Sequence, residues 1–118
     1  YLDKDFEYED ERGYLVQLCH DGWIQINVTK SKKGVIRGGH YHKNTKEAFY
    51  IIDGAININL VKGNIRKGVK VKSGDFFYLH PNVVHSFEFI EDTVMVAMYD
   101  RSIINEMGVK DIYTMENV

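Results

Sequence analysis

Apolar residues recur along this chain with a period of two, in runs of three to seven broken by glycine, asparagine and aspartate. The runs are YLVQLC, WIQINVT, EAFYII, AININLV, VKV, FFYL, HSFEFI and TVMVAMY, and they are separated by HDG, KKG, DG, KGN, KSGD and HPN. Short β-branched and aromatic segments at this spacing predict strands joined by tight turns, in an all-β sandwich or barrel. A 3.6-residue period is absent except in RSIINEMG, which predicts one or two helical turns near the end. No internal repeat, low-complexity stretch or linker divides the sequence, so residues 1–118 are expected to form one domain.

The stretch YIIDGAIN, residues 50–57, reads as two strands joined by Asp-Gly, the preferred pair for a two-residue hairpin turn. With Asp53 and Gly54 as the turn, Ile51 faces Ile56, Phe49 faces Ile58 and Glu47 faces Leu60. Alternation then puts Glu47, Phe49, Ile51, Ile56, Ile58 and Leu60 on one core-facing side, with Ala48, Tyr50, Asn57 and Asn59 on the other. Glu47 is thereby a carboxylate on an apolar wall, an expensive place for a charge without a partner.

Two histidines stand close by. His40 and His42 are two residues apart, so on an extended segment they point the same way. His85 opens the run HSFEFI beyond the HPN turn. Strand ends of a rolled sheet can bring the three imidazoles and the Glu47 carboxylate together, a donor set suited to a divalent transition metal with a position left open.

Composition narrows the partners. Fifteen basic and seventeen acidic residues give a net charge of −2, which argues against nucleic-acid binding. No apolar run approaches the ~20 residues of a membrane span. No signal-peptide pattern stands at the start, and the chain opens at Tyr1 rather than methionine, as a trimmed chain or one domain of a longer protein would. The single Cys19 has no disulfide partner in the chain; it reads as a small core hydrophobe, and the expected compartment is the cytoplasm. The basic run KGNIRKGVKVK reads as a solvated edge hairpin.

The spacing Gly34, His40-x-His42, Glu47, Gly54 resembles the first cupin motif in every element. Residues 74–89, GDFFYLHPNVVHSFEF, resemble the second, with Gly74 and His85 in register. There His80 replaces the usual proline, Asn82 the usual glycine and Phe89 the usual asparagine. The resemblance implies a jelly-roll-like cupin β-barrel, commonly dimeric, with a metal held inside by His40, His42, Glu47 and His85. Asp-x-Arg-Gly at residues 10–13 and SKKGVIRG before His40 are similar to the sugar-nucleotide branch of the cupins. That branch includes dTDP-4-dehydrorhamnose 3,5-epimerases, dTDP-4-keto-6-deoxyhexose 3,4-ketoisomerases and the cupin domains of capsule UDP-sugar enzymes. The epimerases use the equivalent of His40 as a base without metal. The capsule-type domains keep His-x-His and the glutamate and hold zinc, and this chain resembles them most, which leaves His40 open as base or ligand.

The function so implied is epimerisation or keto-migration on a nucleotide-linked 4-keto sugar in cell-surface polysaccharide biosynthesis. A proton beside the ketone is removed by a base with pKa near 7, and the developing oxyanion needs a metal or fixed donors. His40 is the candidate base and Tyr99 the candidate acid. Arg37, a planar donor beside the motif, and Arg12 are candidates for the diphosphate and nucleotide. Zinc is the expected ion, with iron, manganese or nickel as alternatives, and a homodimer the expected assembly. The competing readings are a metal-holding module that binds a small sugar-like ligand without turnover, and a metal-dependent oxygenase.

Overall fold

The computed structural model describes residues 1–114, and within them the chain forms eleven strands and no helix. Their order is β1 (Phe6–Asp10), β2 (Gly13–Gln17), β3 (Gln25–Ser31), β4 (Ile36–Tyr41), β5 (Glu47–Asp53), β6 (Ala55–Lys62), β7 (Ile65–Lys72), β8 (Phe76–Leu79), β9 (Val84–Phe89), β10 (Thr93–Tyr99) and β11 (Tyr113–Thr114). A four-stranded sheet runs β3-β10-β5-β8 and a five-stranded sheet β11-β4-β9-β6-β7, with every pairing antiparallel. The core lies between them: Phe49, Ile51, Phe77, Met95 and Ala97 from one sheet meet Ile56, Ile58, Val71, Phe87 and Phe89 from the other. The rings of Phe49 and Phe87 join the two sheets edge to face, with centroids 5.0 Å apart.

The eight apolar runs fall in or against strands, but Asp53-Gly54 is not a hairpin turn. β5 is already paired on both sides, to β10 and β8, and β6 to β9 and β7. The chain instead crosses from one sheet to the other at Gly54, whose φ is +114°. The face assignment survives because alternation belongs to each strand alone. Glu47, Phe49 and Ile51 point inward from β5, and Ile56, Ile58 and Leu60 point inward from β6. Ala48 and Tyr50 face outward yet are buried with Phe76 and Met98 beneath Leu2, Val16, Leu18 and Trp23. Cys19, a free thiol, packs against the same cluster. β7 is a sheet edge carrying exposed lysines, as its basic pattern predicts.

One other expectation changes. RSIINEMG forms no helix: Asn105 Oδ1 accepts the amides of Met107 and Val109, Gly108 takes φ +79°, and Ile104 bridges Lys110. The amino-terminal strands β1 and β2 pair only with each other, not with either barrel sheet. They are fastened through Leu2, whose amide donates to Phe76 O, and through the outer cluster. No helix among the described residues is long and apolar enough to cross a membrane.

A side chain at Gly54 would adopt a strained backbone and press on Thr93 Oγ1, with Asp92 O and Thr93 Cα each 2.7 Å away. Gly54→Ala is expected to cost about 3 kcal/mol, seen as a lower urea midpoint at unchanged m-value.

Candidate metal centre

β4 supplies the first candidate ligand through a bulge. Gly38 lies opposite Ser86 and His40 opposite His85, so Gly39 is the extra residue. His40 therefore faces His85 directly rather than lying one step beyond it. Gly38 is obligatory here: a Cβ would fall 2.6 Å from His85 O and 2.8 Å from Ser86 Cα. His42 follows β4, Glu47 starts β5 and His85 sits near the start of β9. Between β8 and β9, Asn82 has φ +68° and donates its amide to His42 O at 2.6 Å. This explains Asn82 at a usual glycine position, because asparagine tolerates the left-handed region. Phe89, at a usual asparagine position, is buried core.

The four side chains converge. His42, Glu47 and His85 are buried and His40 half-buried. One ligand atom from each lies within 4.8 Å of all the others. His85 Nε2 is 3.1 Å from His40 Nε2 and 3.4 Å from Glu47 Oε1, and His42 Nε2 is 3.2 Å from Glu47 Oε1. Backbone carbonyls orient two of the rings: His42 Nδ1–H donates to Asp111 O at 2.7 Å and His85 Nδ1–H to Val83 O at 3.1 Å. In the neutral rings both Nε2 lone pairs then point at the Glu47 carboxylate. Acceptors facing acceptors repel, so the cluster calls for a cation at its centre, either a proton or a metal ion. Bonds of about 2.0–2.2 Å place ligand atoms up to ~4.4 Å apart across a metal, which this donor set accommodates with little movement.

The electrostatics follow the same logic. Burial, reinforced by His85, pushes His40 down to about 4 and keeps its lone pair free at neutral pH. Burial also opposes the charge on His42, but the bonds to Glu47 and to the Asp111 carbonyl outweigh it and raise His42 above its ordinary value. Burial likewise works against Glu47, yet His42 and His85 hold its carboxyl at about 2. Tyr99, at the end of β10, lies at the same site; burial first, and then the Glu47 carboxylate, push its phenol well above the ordinary range, so it stays protonated and can donate.

These residues open on a cavity of about 480 Å3 between the sheets, also lined by Arg37, Gln25, Phe49, Phe87 and Met95. Its mouth is bounded by Ser102, Ile103, Ile104, Lys110 and Ile112 from the irregular segment before β11. Of the residues singled out from sequence, His40, His42, Glu47, His85, Arg37 and Tyr99 all meet here. Arg12 does not. It lies at the β1–β2 turn, bound to Asp10 through Nε at 3.0 Å and Nη2 at 2.6 Å. Asp111 and the mouth segment were not legible beforehand, because no local pattern ties residues 101–112 to a motif some 65 positions earlier.

The polysaccharide biosynthesis C-terminal domain family matches residues 8–116. The chain belongs to that family. A search of curated protein sequences finds no significant match. Among solved structures, the polysaccharide biosynthesis C-terminal domain described here is similar to a sugar 3,4-ketoisomerase from Thermoanaerobacterium thermosaccharolyticum in complex with TDP. The TM-score is 0.77 at 18% identity, over 93% of this chain and 83% of the other. It is similar to a dTDP-6-deoxy-D-glucose-3,5-epimerase from Legionella pneumophila, with TM-score 0.75 at 17% identity over 96% and 70%. It also resembles the capsular polysaccharide assembling protein CapF of Staphylococcus aureus, with TM-score 0.66 at 19% identity over 94% of this chain and 34% of that one. The all-β cupin fold expected from the motifs is thereby shown.

In chelator-treated protein, histidine NMR should find His40 neutral down to about pH 4 and His42 titrating above the ordinary 6.5. The signs are opposite. His40 loses stability as pH falls from ~6.5 toward its folded value, whereas His42 adds stability below ~6.5 that is lost as pH rises through its raised value. Both rings titrating together near 6.5 would contradict this geometry.

Proposed function

We propose that this domain is an epimerase or ketoisomerase of nucleotide-linked 4-keto-6-deoxy sugars in polysaccharide biosynthesis, working with a divalent metal. The observation that carries the reading is the meeting, in one cavity, of the four-donor cluster, a protonated phenol and a guanidinium. Family membership supports it, as does likeness to a ketoisomerase in complex with TDP-4-keto-6-deoxyglucose and to an epimerase in complex with dTDP-4-keto-L-rhamnose. The apolar wall of Phe49, Phe87, Met95 and Ala97 suits the methyl group of a 6-deoxy sugar.

In this reading His40, His42, Glu47 and His85 hold the ion, zinc first and iron, manganese or nickel otherwise. The chemistry a bound divalent ion supplies is charge stabilisation at the ketone oxygen. A base takes the proton from the carbon beside the ketone. The C–H electron pair forms a C=C bond, and the carbonyl pair moves to oxygen. Tyr99, kept protonated, donates to the developing oxyanion, and return of a proton on the other face or at the neighbouring carbon gives product. His40 has the free lone pair that both a base and a ligand need. Arg37 binds the diphosphate.

We further propose a cytoplasmic homodimer. Ile24 just before β3, Ile26 and Val28 on the outer face of β3, and Phe6, Tyr8, Tyr14 and Leu15 on β1 and β2, are all more than half exposed. Such a surface fits a second copy, and Arg12 at the β1–β2 turn would serve a nucleotide only across that interface.

Incubation in heavy water with a dTDP-, UDP- or GDP-linked 4-keto-6-deoxyhexose should exchange the proton beside the ketone, and His40→Ala should abolish exchange. A His40→Ala protein that keeps its metal assigns the base; one that loses metal and exchange together assigns a ligand. Arg37→Ala should weaken binding ten- to a hundredfold, about 1.5–3 kcal/mol, at little cost in kcat. No exchange by protein with its full metal complement would favour the non-catalytic binding module. Elemental analysis should find close to one metal per chain, and light scattering a dimer at micromolar concentration.

A further inference from the structure

We propose that Asp111 is a positioning residue of the metal centre, fixing His42 and the loop from His42 to Glu47 and fastening the cavity mouth to the same point. The inference rests on the metal reading above but concerns a residue outside both motifs.

The Asp111 carboxylate accepts four hydrogen bonds: Lys43 N at 2.9 Å, Asn44 N at 2.9 Å, Thr45 N at 2.8 Å and Thr45 Oγ1 at 2.7 Å. Three consecutive amides that point one way need an anion or equivalent acceptor, and here it comes from 66 or more residues further along the chain. The loop they belong to, residues 43–46, is the whole connection between the ligands His42 and Glu47. The main chain of Asp111 takes the other role. Its carbonyl receives the His42 Nδ1 proton at 2.7 Å, which fixes the tautomer and aims Nε2 at Glu47. One residue thus holds a ligand ring by its backbone and the ligand loop by its side chain.

Asp111 is itself braced on both sides. Its amide donates to Ile103 O at 2.8 Å, and β11 just beyond it pairs Tyr113 with Tyr41 and Thr114 with His40. Lys43 stacks its ammonium over the Tyr113 ring, 4.2 Å from the centroid. Ile103, Ile104, Lys110 and Ile112, which bound the cavity mouth, belong to this segment. Metal binding and ordering of the mouth are therefore coupled through Asp111, and linkage requires the coupling to act in both directions.

The test uses the full chain. Zinc affinity is measured by competition with a chelating dye, and melting temperature with and without zinc. Partners that orient a ligating histidine change metal affinity by roughly 10- to 100-fold. Asp111→Asn keeps the carbonyl but removes the anion; it should raise the zinc Kd by about that factor and shrink the zinc-induced rise in melting temperature. Thr45→Val, which deletes one hydroxyl donor, should do the same by a smaller factor and serves if Asp111→Asn does not fold. Val71→Ala, a core truncation, should lower the melting temperature and leave the zinc Kd alone. In hydrogen exchange, zinc should slow the amides of residues 43–45 in the wild type and not in Asp111→Asn. A wild type that binds zinc, with a folded Asp111→Asn or Thr45→Val binding it as tightly, overturns the role of Asp111 and leaves the metal centre standing. A wild type that takes up neither zinc nor iron(II) overturns both.

Discussion

Three imidazole nitrogens and a carboxylate oxygen face one another inside an apolar barrel, and the surrounding structure is arranged around holding them there. An uncompensated ion at such a depth costs several kcal/mol, and aligned lone pairs add repulsion. The fold meets that cost with geometry rather than with solvent. A glycine bulge sets His40 opposite His85. A left-handed asparagine ties the β8–β9 turn to His42. Two carbonyls fix the imidazole protons on the far side of their rings. Each device spends local conformational freedom to keep one cation-sized point bounded by donors.

Much of this was legible in the sequence, and the parts that were not share a physical reason. Strand positions and inward faces follow from alternation, which is local, so Glu47, Phe49 and Ile51 could be assigned without knowing their neighbours. The convergence of His40, His42, Glu47 and His85 could be read because their spacing lies within two short motifs. Pairing partners are a different kind of fact. Asp-Gly between two apolar runs has the same local signature whether the strands pair with each other or diverge into facing sheets, and at Gly54 they diverge. β4 escaped notice because Gly38 and Gly39, which make its bulge, also break the β-branched pattern by which strands are recognised. Asp111 had no signal: its function depends wholly on a contact across more than sixty residues.

The role of His40 turns on a competition that the structure defines. Burial holds its lone pair free down to about pH 4, and that free pair faces His85 at 3.1 Å. A general base is most effective with a pKa near the working pH, so an imidazole pushed this low favours a ligand over a base. The same displacement suits metal binding, because protons compete less for the site. Grouped with His42, Glu47 and His85, His40 is placed differently from a histidine standing alone: a cation held by the four would occupy the lone pair that a base needs.

The fold by itself would not decide the chemistry, since cupin barrels of this shape carry both turnover and simple binding. What separates the two readings is the remainder of the cavity. A binding module needs complementary walls and a point of attachment, which the apolar floor and the metal cluster supply. Turnover needs more: a proton donor near the oxygen and a proton acceptor near the carbon. Tyr99 lines the same cavity as the four clustered donors and keeps its phenolic proton, so a donor is present, whereas a metal bound by all four side chains would leave none of them free as acceptor. The two readings therefore part at the proton acceptor and not at the shape of the barrel.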